Sequence, residues 1–218
     1  KIYIWNLTDT SSAQFSSLVP ENQTSSAISN LAWNNKVAKI LATCSYTGRT
    51  HIWDCRAEKS ILNFTNKEQR YRCSDVAWHP SNPTQLMVSS ESSNYPVIEM
   101  WDLRKAFAPV HTLNGHKDAV LSMSWCPDDE QFLLSCGRDK RVIVWNPLTG
   151  DIHCQLPQET SWVFDVQWSY SPSIFSMCTC DNKVDIHSLQ GTGLSGSSSQ
   201  LKVAPKWLKR PVGATFGF

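Results

Sequence analysis

The chain has little glycine for its length and little charge. Nine glycines stand against ten tryptophans in 218 residues, and charged residues make up 18% of the chain at a net charge of +1. That balance argues against a nucleic-acid-binding arm, an acidic tail or a largely disordered chain. No apolar run approaches the roughly 18 residues that cross a bilayer as a helix. The chain starts at Lys1, with neither an initiator methionine nor the charged-then-apolar layout of a secretion signal, so it reads as a segment of a longer protein. Eight cysteines, at positions 44, 55, 73, 126, 136, 154, 178 and 180, include no C-x-x-C pair and no zinc-like His or Cys spacing. They are sparse for a disulfide scaffold, and the expectation is reduced, half-buried thiols in a cytosolic protein, with no metal and no cofactor. The sequons at Asn6, Asn22 and Asn63 lack the secretory context that gives such sites meaning.

What is abundant is tryptophan, and its placement is regular. Trp33, Trp78, Trp125 and Trp168 recur every 43 to 47 residues; Trp5, Trp53, Trp101 and Trp145 recur every 44 to 48, with His187 in the next place of that series. Two interleaved series with one period indicate a repeat of the length of a four-stranded propeller blade. Leu31, Val76, Met123 and Val166 each lie two residues before a tryptophan of the first series, on one face of a strand. About ten residues on, Ile40–Thr43, Leu86–Ser89, Phe132–Ser135 and Ile174–Met177 are nearly continuously apolar, as in a strand buried on both faces. The second tryptophan series ends a third strand. There Ile2/Ile4, Thr50/Ile52, Ile98/Met100, Val142/Val144 and Val184/Ile186 fill the face opposite the tryptophan. A weaker fourth strand follows at Ser60–Phe64, Pro109–Leu113 and Asp151–Cys154, with turn-forming residues between the runs and no helical periodicity. The expected fold is all-β.

Trp53-Asp54 and Trp101-Asp102 are W-D dipeptides, Trp5-Asn6 and Trp145-Asn146 are near variants, and Gly115-His116 is a glycine-histidine pair. This pattern resembles the WD-repeat β-propeller family from Lys1 to about Ser188. The resemblance implies a partial propeller: one terminal strand and about four complete four-stranded blades of the seven most members carry. It also implies that His116, Ser135, Asp139 and Trp145 form a buried hydrogen-bonded chain, in the third full repeat only, with a structural role. A hydrolase triad uses the same residue types. No nucleophile elbow or Gly-rich oxyanion loop surrounds Ser135, however, so catalysis is not expected.

After Ser188 the composition changes. Residues 189–203 are rich in glycine and serine and read as a linker. Residues 204–218 read as a new ordered element, with Val212, Ala214 and Phe216 alternating as in a strand after Pro211. The cluster Lys206, Trp207, Lys209, Arg210 is a weak signal for nucleic acid or membrane, and an interfacial edge is the commoner use. Pro205, Lys206, Trp207, Arg210, Pro211, Val212, Gly213, Ala214 and Phe216 match in order a motif of the large subunit of the COPII outer cage, the coat that buds vesicles from the endoplasmic reticulum. The repeats at Lys1–Trp5, Val97–Arg104 and Leu133–Gly137 are similar to that family's as well.

This second resemblance implies a non-enzymatic scaffold of ER-to-Golgi transport, cytoplasmic and peripheral at exit sites and vesicle membranes. It implies that residues 204–218 open an extra blade, donated to the smaller WD-repeat cage subunit by strand addition, with Trp207 as the aromatic anchor. Other coat subunits are the remaining partners; nucleic acid is not one, and membrane association runs through the coat. An alternative is a WD-repeat adaptor of another complex, such as a ubiquitin-ligase receptor or a chromatin-associated scaffold. Trp162, outside both series, is assigned to packing at the blade rim. An unclosed propeller leaves blade faces open, so the isolated 218-residue chain is expected to be poorly soluble or unfolded. A monomeric preparation that melts cooperatively contradicts this.

Overall fold

Short strands with apolar residues on both faces can be buried only between two further layers, so the repeat dictates sheets stacked side by side. The computed structural model describes residues 1–6, 14–18, 27–169, 174–188 and 214–217. β1 (Ile2–Asn6) and β2 (Gln14–Leu18) form an antiparallel hairpin. Four antiparallel meanders follow. The first holds β3 (Ile28–Trp33), β4 (Ile40–Ser45), β5 (Thr50–Asp54) and β6 (Lys59–Phe64); the second holds β7 (Cys73–Trp78), β8 (Gln85–Ser90), β9 (Val97–Asp102) and β10 (His111–Asn114). The third holds β11 (Val120–Trp125), β12 (Leu133–Gly137), β13 (Val142–Trp145) and β14 (Ile152–Gln155). The fourth holds β15 (Val163–Trp168), β16 (Ile174–Thr179), β17 (Lys183–Ser188) and β18 (Ala214–Gly217). The sheets pack in chain order through their first two strands, β3 on β7, β7 on β11 and β11 on β15, as a partial propeller.

Two details differ from the expectation. A single strand was expected ahead of the first full repeat; β2 pairs with it, from Ile2 opposite Leu18 to Asn6 opposite Gln14. The tail strand exists, at Ala214–Gly217, but it does not begin a new sheet among the described residues. It lies antiparallel to β17, Val184 opposite Phe216 and Ile186 opposite Ala214, as the fourth strand of the fourth sheet. The reason is an edge: without it β17 presents a row of unpaired backbone groups, and any extended segment within reach satisfies them.

Successive residues of one strand serve different cores. Leu41 and Trp53 face β1–β2, where Ile2 and Leu18 cover them, while Ala42 and Ile52 face the second sheet. Leu86 and Trp101 face the first sheet; Met87, Ile98 and Met100 face the third. Leu133 and Trp145 face the second sheet; Leu134, Val142 and Val144 face the fourth. Every marker tryptophan of these sheets therefore belongs to the contact with the sheet before it, and the aliphatic column opposite belongs to the sheet after it. The same rule covers Trp78, Trp125 and Trp168, all buried. It also accounts for the exceptions. Trp33 and Leu31, each 47% exposed, face a side where β1–β2 covers Leu41 and Trp53 but does not reach them, and Trp5 is likewise exposed.

The first strand of every sheet shifts register near its start, between Ile28 and Asn30, Cys73 and Val76, Val120 and Ser122, and Val163 and Asp165. A bulge re-aims the side chain beside it. Asp75, in the second sheet, uses this to clasp three sheets. Its carboxylate accepts from Asn30 Nδ2 of β3, from the Met123 N–H of β11 at 2.7 Å and from the Val76 N–H at 2.7 Å. Ser122 Oγ donates to Asp165 at 2.7 Å and so links the third and fourth sheets at the same level. Burial pushes the Asp75 carboxyl up to about 7; the Met123 and Val76 N–H groups pull it down, and Asp165 nearby adds a like-charge push. A carboxyl raised on folding adds stability in its protonated form, and that contribution is lost as pH rises through the folded value. Unfolding free energy should thus decline between the ordinary carboxyl value of 3.8 and about 7. Asp75→Asn should flatten that decline by at most about 1.4 kcal/mol per pH unit, the slope of one proton. Denaturant melts at several pH values measure it, and an unchanged slope in the variant contradicts the assignment.

Candidate functional site

An indole N–H buried between two sheets is stabilised by an acceptor, because an unpaired polar group there costs on the order of 1–3 kcal/mol; the first-strand indoles of Trp125 and Trp168 bear that cost, buried with no partner among the described residues, whereas the third-strand indoles do not. The third sheet provides an acceptor through four side chains from four places. Trp145, at the end of β13, donates from Nε1 to Ser135 Oγ of β12 at 2.7 Å. Ser135 Oγ lies 2.7 Å from His116 Nε2, and His116 Nδ1 lies 2.9 Å from Asp139 Oδ2 in the turn after β12. The consistent proton arrangement has Nδ1–H donating to the carboxylate and neutral Nε2 accepting from the serine hydroxyl. Burial raises the Asp139 carboxyl, but the bond from His116 and the Lys117 and Arg141 N–H groups outweigh it and hold it below the ordinary value. Gly115 allows the loop to lie on the ring, since a Cβ there would come within 2.7 Å of Trp145 Cη2.

The other sheets meet the same demand differently. In the first, Trp53 Nε1 donates to Thr43 Oγ1 at 3.0 Å. In the second, the place of Ser135 is held by Val88, which has no hydroxyl, and the residue paired with it across the ladder is Glu99. Fully buried, Glu99 accepts from Trp101 Nε1 at 3.1 Å, from Tyr71 Oη at 2.6 Å and from Asn66 Nδ2 at 2.5 Å. Burial raises its carboxyl, opposed by the bonds from Tyr71, Asn66 and Trp101. In the fourth sheet His187 replaces the indole and stacks on Phe175, centroids 5.7 Å apart.

Asp139, His116 and Ser135 are bonded in the order of a hydrolase triad. Ser135 has no exposed surface, its oxygen is engaged by both Trp145 and His116, and a substrate has no approach to it. Among the described residues no group of three or more His, Cys, Asp and Glu is placed to hold a metal ion. No disulfide joins the cysteines among the described residues, and burial pushes the Cys44 thiol up to about 12. Of the tail positions, Lys206, Trp207, Arg210, Pro211, Val212 and Gly213 lie outside the described residues; Phe216 contributes backbone to β18.

Sequence reasoning passed over Asp75 and Glu99. The signal for Asp75 was a polar residue three before the first-series tryptophan in every copy: Asn30, Asp75, Ser122, Asp165. For Glu99 it was a charge inside the otherwise apolar run Val97–Met100.

A profile of the family described as "WD domain, G-beta repeat" matches residues 107–146, the stretch that carries His116, Ser135, Asp139 and Trp145. The whole chain aligns with the protein transport protein Sec31A of Danio rerio at 34% identity and with SEC31 of Mycosarcoma maydis at 36%. The chain is thus similar over its whole length to Sec31 proteins, and it carries a WD-repeat match within the third sheet. It spans about a fifth of these relatives, 20% and 19% of their respective lengths. A solved structure titled "COPII on membranes, outer coat vertex" contains a chain that superposes on 99% of this Sec31-related propeller with a TM-score of 0.80 at 29% identity. The superposition covers 56% of that chain. A second, "The structure of the COPII coat assembled on membranes", matches equally well over 31% of its chain.

Ser135→Ala removes the acceptor of one buried indole and the donor to one buried imidazole at once. In the full-length protein it should lower the stability of the propeller by about 2–4 kcal/mol, while Ser135→Thr retains most of it. Thermal melts check this; a melt unchanged by the alanine contradicts the accounting.

Proposed function

We propose that this Sec31-related propeller is a non-enzymatic scaffold of the COPII outer coat, acting in vesicle-borne protein transport from the endoplasmic reticulum. The superposition on a chain of an outer coat vertex, over nearly the whole propeller at 29% identity, carries the reading. The burial of Ser135 supports the absence of a catalytic role. The propeller presents stacked sheet faces and loop ends suited to protein contacts, and no helix among the described residues is long and apolar enough to cross a membrane. Membrane association is accordingly assigned to the assembled coat. Within that reading, residues 204–218 are the segment that completes an open blade of the smaller WD-repeat cage subunit, with Lys206, Trp207, Arg210, Pro211, Val212, Gly213 and Phe216 at the contact. Ala214–Gly217 pairs here with β17 of its own chain, so donation requires it to exchange that sheet edge for the open edge of the partner through the same kind of backbone pairing.

The test is capture of the smaller subunit by the full-length protein with and without residues 204–218 and the blade they begin. Deletion should weaken capture at least about tenfold, a loss of about 1.4 kcal/mol or more. Undiminished capture contradicts the assignment of the tail.

A further inference from the structure

One end of the propeller carries the connections from first to second strands and from third to fourth strands. Backbone bonds gather them: Asn34 N to Ile40 O and Cys55 N to Lys39 O in the first sheet, His79 N to Gln85 O and Leu103 N to Thr84 O in the second, Cys126 N to Phe132 O and Asn146 N to Asp151 O in the third. Charge is divided across this end. The connections of the first two sheets and the strand residues flanking them present Lys36, Lys39, Arg56, Lys59, Arg104 and Lys105 against three carboxylates, those of Asp54, Glu58 and Asp102. Those of the third sheet present Asp128, Asp129, Glu130 and Asp151 with no lysine or arginine.

The connection from third to fourth strand also differs in length. It takes four residues in the first sheet (55–58), six in the third (146–151) and eight in the second (103–110). The start of the long one is fixed. Asp102 caps a 3₁₀ turn, Leu103–Lys105, accepting from the Arg104 N–H and from Arg104 Nε, each at 3.0 Å, while Leu103 and Ala106 pack on the core between the first and second sheets. The surplus residues hold Phe107 in water at 67% exposure, with Val110 exposed in the same loop and Val37 exposed between Lys36 and Lys39. A single exposed apolar side chain is ordinary. Three of them set among six cations at one end of two neighbouring sheets are not.

We propose that this end of the first two sheets is a contact surface for an anionic lipid bilayer. Phe107, with Val110 and Val37, enters the headgroup region, and the surrounding lysines and arginines meet the lipid phosphates and carboxylates. A bilayer fits better than a peptide, because the ring of Phe107 stands out from its loop into solvent and needs a soft apolar phase to receive it. The carboxylates of the third sheet are repelled by the same surface, so the propeller meets the bilayer tilted onto its first two sheets. The inference adds a direct contact to the membrane association assigned above to the assembled coat, and it uses only the charge and shape of this end.

Vesicles of phosphatidylserine mixed with phosphatidylcholine, sedimented with the full-length protein, are the probe. Binding should exceed that to pure phosphatidylcholine and fall with added salt. Phe107→Ser and the double variant Lys36→Glu/Lys39→Glu should each weaken it about tenfold. Leu148→Ser, which changes an exposed apolar residue of the acidic half, should leave it unchanged. All four positions are exposed, so each variant should keep the parent melting temperature, measured in parallel. Equal binding to the two kinds of vesicle, or affinity unchanged in both Phe107→Ser and the lysine variant, overturns the proposal. Equal weakening by Leu148→Ser does the same. So does capture of a soluble polyglutamate peptide that the lysine variant abolishes while the vesicles fail to bind, which would assign this end to an acidic protein segment.

Discussion

A buried indole N–H is the constraint on which the rest of the fold depends. Each third strand ends in a large aromatic side chain that fills the space toward the preceding sheet, and its apolar area contributes most of what holds the two sheets together. The ring brings one polar atom with it. Water is excluded there, so the acceptor has to come from protein, and its position is fixed by the sheet geometry. Ser135, Thr43 and Glu99 are three answers to one geometric question; in the fourth sheet His187 takes the place of the indole, and its Nε2 is buried with no hydrogen-bond partner among the described residues.

The second consequence is directional. Because both tryptophan series face the preceding sheet and the aliphatic columns face the following one, no sheet owns a core. Stability is a property of neighbouring pairs, as in other repeat architectures. Asp75 adds a polar version of the same coupling near the first strands, where one carboxylate is shared by three sheets.

Much of this was legible in the residues. The two tryptophan periods located the first and third strands of each sheet. The continuous apolar runs located the second strands, which serve two cores at once: β4, β8 and β12 are buried on both faces, whereas β16, with a sheet on one side only, alternates. His116, Ser135, Asp139 and Trp145 were readable because their types and spacing form a recurrent pattern. Glu99 was not, because its role arises from the absence of a hydroxyl at Val88, a cross-strand relation that depends on register. β2 was missed because Gln14–Leu18 has weak alternation and gains its place by pairing with β1. The partner of the tail strand was beyond sequence reasoning for a similar reason: strand propensity is local, whereas the edge that a strand joins is decided by which backbone groups elsewhere lack partners.

The central claim is that the third-strand indoles are sealed and hydrogen-bonded between sheets. Native-state hydrogen exchange of the indole N–H protons tests it directly. The account predicts that Trp53, Trp101 and Trp145 exchange only with global opening of the propeller, orders of magnitude more slowly than the exposed Trp162. Exchange of Trp101 or Trp145 at a rate close to that of Trp162 would contradict it.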